Sequence, residues 1–144
     1  MAGVYRRLLW HGLLLLLLGL LTGLVEAQLS NPRMALAAHL EGILNGLLLL
    51  ALGAIWGEVA LSSRWQGVAF CALLYGAYAN WAFTLLAAVF GTAAMSPVTA
   101  AGHRGEPWQE LLVTFGFVSV GLAIMLAIVL LLWGLRGRAA RREG

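Results

Sequence analysis

Four long apolar segments constrain this chain more than any other feature of its sequence. They lie at residues 8–25, 34–56, 67–90 and 111–134, and each is near or above the roughly 18 to 20 residues that a helix needs to cross the hydrocarbon. Because lipid offers no partners to backbone polar groups, a spanning chain forms helices or a closed barrel. Solid leucine runs lack the alternation of barrel strands. The sequence therefore predicts an all-α, integral membrane four-helix bundle, with residues 1–144 as a single domain.

The composition supports a lipid environment. Hydrophobic residues make up 62% of the chain and charged residues 10%, whereas soluble domains average about 45–50% and about 25%. The first segment also resembles a secretory signal peptide, because two arginines precede a leucine core and small residues follow it. Its apolar run is longer than a usual signal core and a second span follows almost at once, which favours a true first span.

The basic residues are distributed unequally about the predicted spans. All nine are arginines, and the net charge is +3. Four spans bring both termini and the second connection to one side, which then holds seven arginines against two on the other; the seven are Arg6, Arg7, Arg64, Arg136, Arg138, Arg141 and Arg142. By the positive-inside rule we expect both termini to be cytoplasmic, in an inner membrane of the bacterial type. No basic patch interleaved with aromatic residues remains, so we expect no nucleic-acid partner.

One histidine, His39, lies inside the second segment, in the run AHLEGILNG at residues 38–46. An ionisable residue in a membrane span is costly and marks a candidate functional site. At 100° per residue, Ala35, Gly42, Gly46 and Gly53 lie within about 60° of the His39 direction, so the imidazole borders a groove of small residues. Such residues most simply permit close helix packing. The same groove beside an imidazole would also suit a planar macrocycle, and haem iron accepts a proximal histidine.

Glu41 and Asn45 lie on another face of the same helix, about 160° and about 120° from His39. The three side chains therefore cannot all bind one small metal ion. We expect Glu41 to be a partner for an arginine, a tyrosine or a backbone group, or to be a proton-linked site. His11 lies near the opposite end of the first span and His103 in a loop. A haem on His39 would thus have one protein ligand and an open sixth position, with ligation by His39 and His103 together as the less favoured alternative.

Polar and aromatic residues also fill the middle of the third segment, which contains Tyr75, Tyr78, Asn80, Trp81 and Thr84. Tyrosine and tryptophan normally collect at membrane interfaces, so their position at mid-depth predicts a pocket or a helix contact. Residues 91–107 contain three glycines and two prolines and are predicted to form the one long loop, on the outer side.

The run NPRMALAAHLEGILNG, residues 31–46, resembles the hydroxylaminobenzene mutase family, and the spacing of His39 and Asn45 also resembles that of the styrene oxide isomerases. The segment YGAYANW, residues 75–81, supports this resemblance. Both are families of small four-span membrane proteins. The resemblance implies a redox-neutral rearrangement of a small aromatic molecule, in which an arylhydroxylamine becomes a 2-aminophenol.

The resemblance also implies a site. His39 would bind ferric haem b, shared at the subunit contacts of a homo-oligomer, a trimer in the isomerases, with Gly42 and Gly46 beside the cofactor. Asn45 would orient the substrate oxygen, and Tyr78 and Asn80 are further candidates for catalytic residues. The haem iron would act as a Lewis acid on the N–O or C–O oxygen.

Three alternatives remain open from the sequence. The first is an epoxide-to-aldehyde isomerase like styrene oxide isomerase. The second is a small proton-coupled exporter that uses Glu41, since intramembrane acids mark such pathways. The third is a structural subunit in which the polar residues form only interhelical hydrogen bonds, worth about 0.6 kcal/mol each on average.

Overall fold

The computed structural model describes the backbone of residues 2–142 and the side chains of residues 3–136. Helices account for 86% of the described residues, and no strand occurs among them. Four helices are long and apolar enough to cross a membrane, which confirms the predicted all-α architecture. The helices are α1 (Ala2–Val25), α2 (Pro32–Ile55), α3 (Ser63–Phe90), α4 (Pro97–Ala100) and α5 (Pro107–Arg142).

The start of α2 is fixed by Asn31 and Pro32, two residues before the predicted start of the second segment. The Asn31 side chain accepts a hydrogen bond from the Met34 amide at 3.1 Å, and Pro32 occupies the first turn, where a missing amide hydrogen costs nothing. The Asn31 amide group donates to the carbonyls of Thr99 and Ala100. One buried asparagine thus both caps α2 and holds α4 against the beginning of that helix.

The predicted long loop at residues 91–107 is interrupted by a helical turn, α4. Gly91, with φ of 70°, ends α3 in the left-handed conformation that glycine adopts without strain. Pro97 then opens α4, which ends at Ala101 with φ of 52°. The connection between α3 and α5 thus lies where the sequence predicts the long loop, and it contains one helical turn that is too short to produce an apolar period in the sequence.

The long helices pack in chain order. Helix α1 packs mainly on α2, α2 also packs on α3, and α3 packs on α5, whereas α1 and α5 make no contact over their described residues. Glycines bring α1 and α2 unusually close. A Cβ on Gly19 would lie 2.7 Å from the Ile43 nitrogen, and one on Gly46 would lie 2.8 Å from the Gly12 carbonyl oxygen. Helix α2 therefore has one face against α1 and another towards α3 and α4.

Candidate active site on two faces of helix α2

His39 is held by the backbone of α1. Its Nδ1 lies 2.8 Å from the carbonyl oxygen of Gly19, and because a carbonyl only accepts hydrogen bonds, Nδ1 carries the proton and donates. A Cβ on Gly23 would lie 2.6 Å from the same nitrogen. The imidazole therefore fits against α1 only because residue 23 has no side chain.

The other ring nitrogen of His39 is available as a ligand. Nε2 accepts no hydrogen bond among the described residues, and it is not sealed in the protein interior. A histidine whose Nδ1–H is fixed by a backbone carbonyl presents the Nε2 lone pair in a defined orientation, as metal-binding histidines do. This donor arrangement fits a single axial ligand of haem iron. The described residues contain no group of three or more His, Cys, Asp or Glu side chains that could hold a metal ion.

The groove of small residues near His39 is filled by α1. Gly42 and Gly46 are buried, and a Cβ on Gly42 would overlap the Gly19 backbone. Both glycines therefore serve the close packing of two helices, the simpler of the two explanations that the sequence allows. A haem bound to His39 must approach from a side that α1 leaves open, and the cofactor contacts predicted for these two glycines stay a prediction.

Glu41 faces the other way and is held by two asparagines. Its Oε2 accepts a hydrogen bond from the Asn45 Nδ2 at 3.0 Å and another from the Asn80 Nδ2 at 2.5 Å. Asn45 also donates to the Glu41 carbonyl one helical turn earlier, at 2.8 Å. The expected partners of Glu41, an arginine, a tyrosine or a backbone group, were therefore wrong for the side chain. The structure brings two predicted site residues, Asn45 and Asn80, to one carboxyl group.

A cavity of about 320 Å³ adjoins this carboxyl group. It lies between α2, α3, α5 and the connection that contains α4. Its lining combines polar and apolar side chains, namely Met34, Ala37, Glu41, Asn80, Thr84, Met95, Ser96, Thr99 and Phe117. Residues 95–99 escaped the sequence analysis because the path of a connection is not encoded in a helical or strand period.

Tyr78 lies apart from the asparagines. Its hydroxyl lies 3.0 Å from His11 Nδ1 and donates to the His11 carbonyl at 3.3 Å. Tyr78 thus joins α3 to the beginning of α1, and its predicted catalytic role stays a prediction. His103 Nδ1 donates to the Ala100 carbonyl at 2.9 Å within the connection after α4.

Every polar side chain in the middle of α3 makes a hydrogen bond, and several of these bonds are the helix contacts that the sequence predicts. Besides Tyr78 and Asn80, Tyr75 pairs with Ser119 at 2.7 Å and the Trp81 indole donates to Thr22 at 3.1 Å. The Thr84 hydroxyl donates to the Asn80 carbonyl at 2.7 Å. These bonds link α3 to α1, α2 and α5, so a side-chain hydrogen bond joins α3 to each of the other three long helices.

Comparison with known proteins gives two findings. A family model described as styrene oxide isomerase matches residues 4–136. The chain is also 46% identical over 143 residues to hydroxylaminobenzene mutase HabB of Ectopseudomonas oleovorans, which covers 99% of this chain and 87% of that protein. No solved structure matches. Both names are those of isomerases, which favours the enzyme hypothesis over an exporter or a structural subunit. The chain belongs to the styrene oxide isomerase family and is an isomerase.

Proposed function

We propose that this protein is a membrane mutase that rearranges an arylhydroxylamine, such as hydroxylaminobenzene, to a 2-aminophenol, with ferric haem b on His39. The observation that carries the proposal is the hydrogen bond from His39 Nδ1 to the Gly19 carbonyl, which leaves Nε2 free as a ligand. The similarity to hydroxylaminobenzene mutase HabB over nearly the whole chain supports this substrate class.

The overall reaction needs no external electron donor. The hydroxyl group leaves nitrogen and joins the ring carbon ortho to it, and the proton on that carbon is lost while nitrogen gains one, so the atoms and electrons balance. A ferric haem would supply a Lewis acid for the N–O oxygen, at which negative charge develops as the bond breaks. The chain itself would orient the imidazole through Gly19 and keep bulk water away with its apolar helices.

The absorption spectrum of the detergent-purified protein tests the proposal. We expect a Soret band, and conversion of hydroxylaminobenzene to 2-aminophenol by chromatography. His39→Ala should lose both, whereas His103→Ala, which changes a histidine in the connection after α4, should keep both. A wild-type protein without haem, or a His39→Ala protein with full haem content and turnover, would contradict the proposal.

A second candidate function is the isomerisation of an epoxide to an aldehyde, favoured by the description of the matching family model. The Lewis-acid requirement is the same, because a C–O bond then breaks in place of an N–O bond. Turnover of styrene oxide and of hydroxylaminobenzene by one preparation distinguishes the two. A kcat/KM higher for styrene oxide would select the epoxide isomerase.

We also propose that the protein forms a homo-oligomer, a trimer, in a bacterial-type inner membrane, with both termini cytoplasmic. Two observations support an oligomer: α1 and α5 make no contact with each other over their described residues, and the polar pair of Tyr75 and Ser119 lies on the outer surface of the bundle. Both leave surface that a second copy would cover. Native mass spectrometry tests the trimer. Labelling of single cysteines introduced near either terminus, in a Cys71→Ala background, tests the topology.

A further inference from the structure

The carboxyl group of Glu41 has one oxygen without a protein partner. Both amide donors, from Asn45 and Asn80, bond to Oε2, and no described residue donates to Oε1. Glu41 is half-buried and lines the 320 Å³ cavity, and its Oε1 is not sealed in the protein interior. The cavity therefore contains a fixed hydrogen-bond acceptor whose orientation is set from the opposite side.

The depth of Glu41 in the predicted span increases the free energy that a hydrogen bond to Oε1 would contribute. Glu41 lies nine residues after Pro32, the first residue of α2, which is ~14 Å along the helix at 1.5 Å per residue. If the span Pro32–Glu58 crosses the membrane, this depth is inside the hydrocarbon region, where few water molecules compete for the oxygen. An unpaired polar group in such surroundings costs free energy, and a ligand that supplies the donor recovers it.

The remaining walls suit one aromatic ring. Met34, Met95 and Phe117 are apolar and polarisable, and sulfur and ring edges both pack well on aromatic faces. Ligand pockets usually enclose about 300–1,000 Å³, so a cavity of 320 Å³ is at the small end of that range. The Thr84 hydroxyl is already committed to the Asn80 carbonyl. Glu41 is thus the carboxyl acceptor in the lining, beside the amide oxygen of Asn80 and the hydroxyls of Ser96 and Thr99.

We propose that this cavity binds a single-ring aromatic molecule with an N–H or O–H donor, and that Glu41 Oε1 accepts its hydrogen bond. The identification of that molecule as an arylhydroxylamine rests on the proposed function. An arylhydroxylamine has donors on both nitrogen and oxygen, whereas an epoxide has none. The cavity is therefore a site that distinguishes the two substrate classes, and Glu41 is its specificity-determining residue.

The site is separate from His39. The two side chains lie about 160° apart around α2, with the imidazole against α1 and the carboxyl group towards α3. A molecule in the cavity is therefore not in contact with a group on His39 of the same protomer. The cavity thus binds an aromatic molecule with a hydrogen-bond donor on one face of α2, and the proposed haem ligand lies on the other face.

Fluorine NMR titration with two probes of the same shape tests the site. 4-Fluoroaniline has an N–H donor, and 4-fluorotoluene has a methyl group in its place; empty micelles correct for partition into detergent. We expect wild-type protein to bind 4-fluoroaniline about tenfold more tightly, as one additional hydrogen bond can provide. Equal binding of the two probes would overturn the proposal.

The Glu41→Gln variant makes the sharpest prediction. Asn45 and Asn80 need an acceptor at the Oε2 position, so the new amide oxygen stays there and the amide nitrogen faces the cavity. The cavity acceptor becomes a donor. We expect 4-fluoroaniline to lose its advantage over 4-fluorotoluene, with haem content retained. Glu106→Gln, an exposed acid outside the cavity, should match wild type.

Two further variants keep the test decisive. Ala37→Phe fills the cavity and leaves both amide donors to Glu41 in the chain, so it should abolish binding of both probes; retained binding would place the probes elsewhere and overturn the proposal. His39→Ala should bind 4-fluoroaniline as wild type does, since the two sites lie on different faces. If the protein lacks haem and turnover but shows Glu41-dependent binding, the proposed function fails and the binding site stands. If haem and turnover are present but binding ignores Glu41, the binding site fails alone.

Discussion

The two faces of α2 satisfy their ionisable residues in different ways. On the α1 face, a backbone carbonyl holds His39, and glycines on both helices allow α1 and α2 to pack closely beside it. On the α3 face, two side-chain amides hold Glu41, and a cavity adjoins it. In each case one atom of the side chain is fixed by the protein and the other is left for a ligand: a lone pair on nitrogen for a metal, and a carboxyl oxygen for a hydrogen-bond donor. We therefore predict that a substitution on one face of α2 changes ligand binding at that face and not at the other.

The largest effect should come from breaking the contact that both faces need. Gly42→Leu forces a side chain into the space that the Gly19 backbone occupies. Neither helix can move away without losing the packing around this contact. We expect a loss of about 3 kcal/mol or more in stability, measured by denaturation in detergent. Gly121→Leu is the matched control, because a Cβ at Gly121 meets nothing within 4 Å. Equal stability of the two variants would mean that the close approach of α1 and α2 does not hold the bundle together.

Gly23→Ala should damage only the His39 face. The added Cβ would lie 2.6 Å from Nδ1, so the imidazole must turn and lose its bond to the Gly19 carbonyl. Loss of such a supporting bond typically weakens metal binding by 10- to 100-fold, which a haem titration followed at the Soret band would measure. Binding of 4-fluoroaniline should not change. The control is Gly67→Ala, at another helical glycine with open space around it; haem binding as tight as in this control would contradict the prediction.

Asn45→Ala should damage only the Glu41 face. Asn45 is buried, and its removal takes one of the two donors from Oε2, so the carboxyl group can rotate and its Oε1 is no longer fixed in the cavity. We expect 4-fluoroaniline to bind about tenfold more weakly, with haem content unchanged. Gln28→Ala, in the exposed turn after α1, serves as the control. Loss of haem in Asn45→Ala would show that the two faces are coupled.

The separation of the two faces of α2 was predictable from the sequence, whereas the helix that packs on each face was not. Helical geometry alone places His39 and Glu41 on opposite sides of α2. It does not say which helix each side meets, because that depends on how α1 and α3 are rotated about their own axes. The glycines at positions 12 and 19 of α1 were a usable signal: they match Gly42 and Gly46 as small residues on a facing helix, and they indicate the contact that fills the groove. Nothing in the spacing of α3 indicated that Asn80, and not Tyr78, would reach Glu41.

The smallest effect should come from the connection that forms one wall of the cavity. Glu110, in the first turn of α5, accepts hydrogen bonds from the amides of Ala93, Ala94 and Gly105 at 2.9 to 3.1 Å. Its carboxylate thus holds together the two ends of residues 93–105, whose middle part lines the cavity. In Glu110→Ala we expect these three amides to exchange their hydrogens about tenfold faster, because hydrogen bonds to a charged group contribute about 1.5–3 kcal/mol.

The same variant should weaken 4-fluoroaniline binding by only about threefold, since the acceptor on Glu41 is intact and a single wall has loosened. Glu106→Ala removes an exposed acid four residues earlier, at the same end of α5, whose side chain holds no part of the connection. Exchange rates in that control should equal those of wild type. Unchanged exchange in Glu110→Ala would show that the hydrogen bonds of Asn31 to Thr99 and Ala100 suffice to hold the wall. This wall of the cavity would then be held only by Asn31, which caps α2, the helix that contains Glu41.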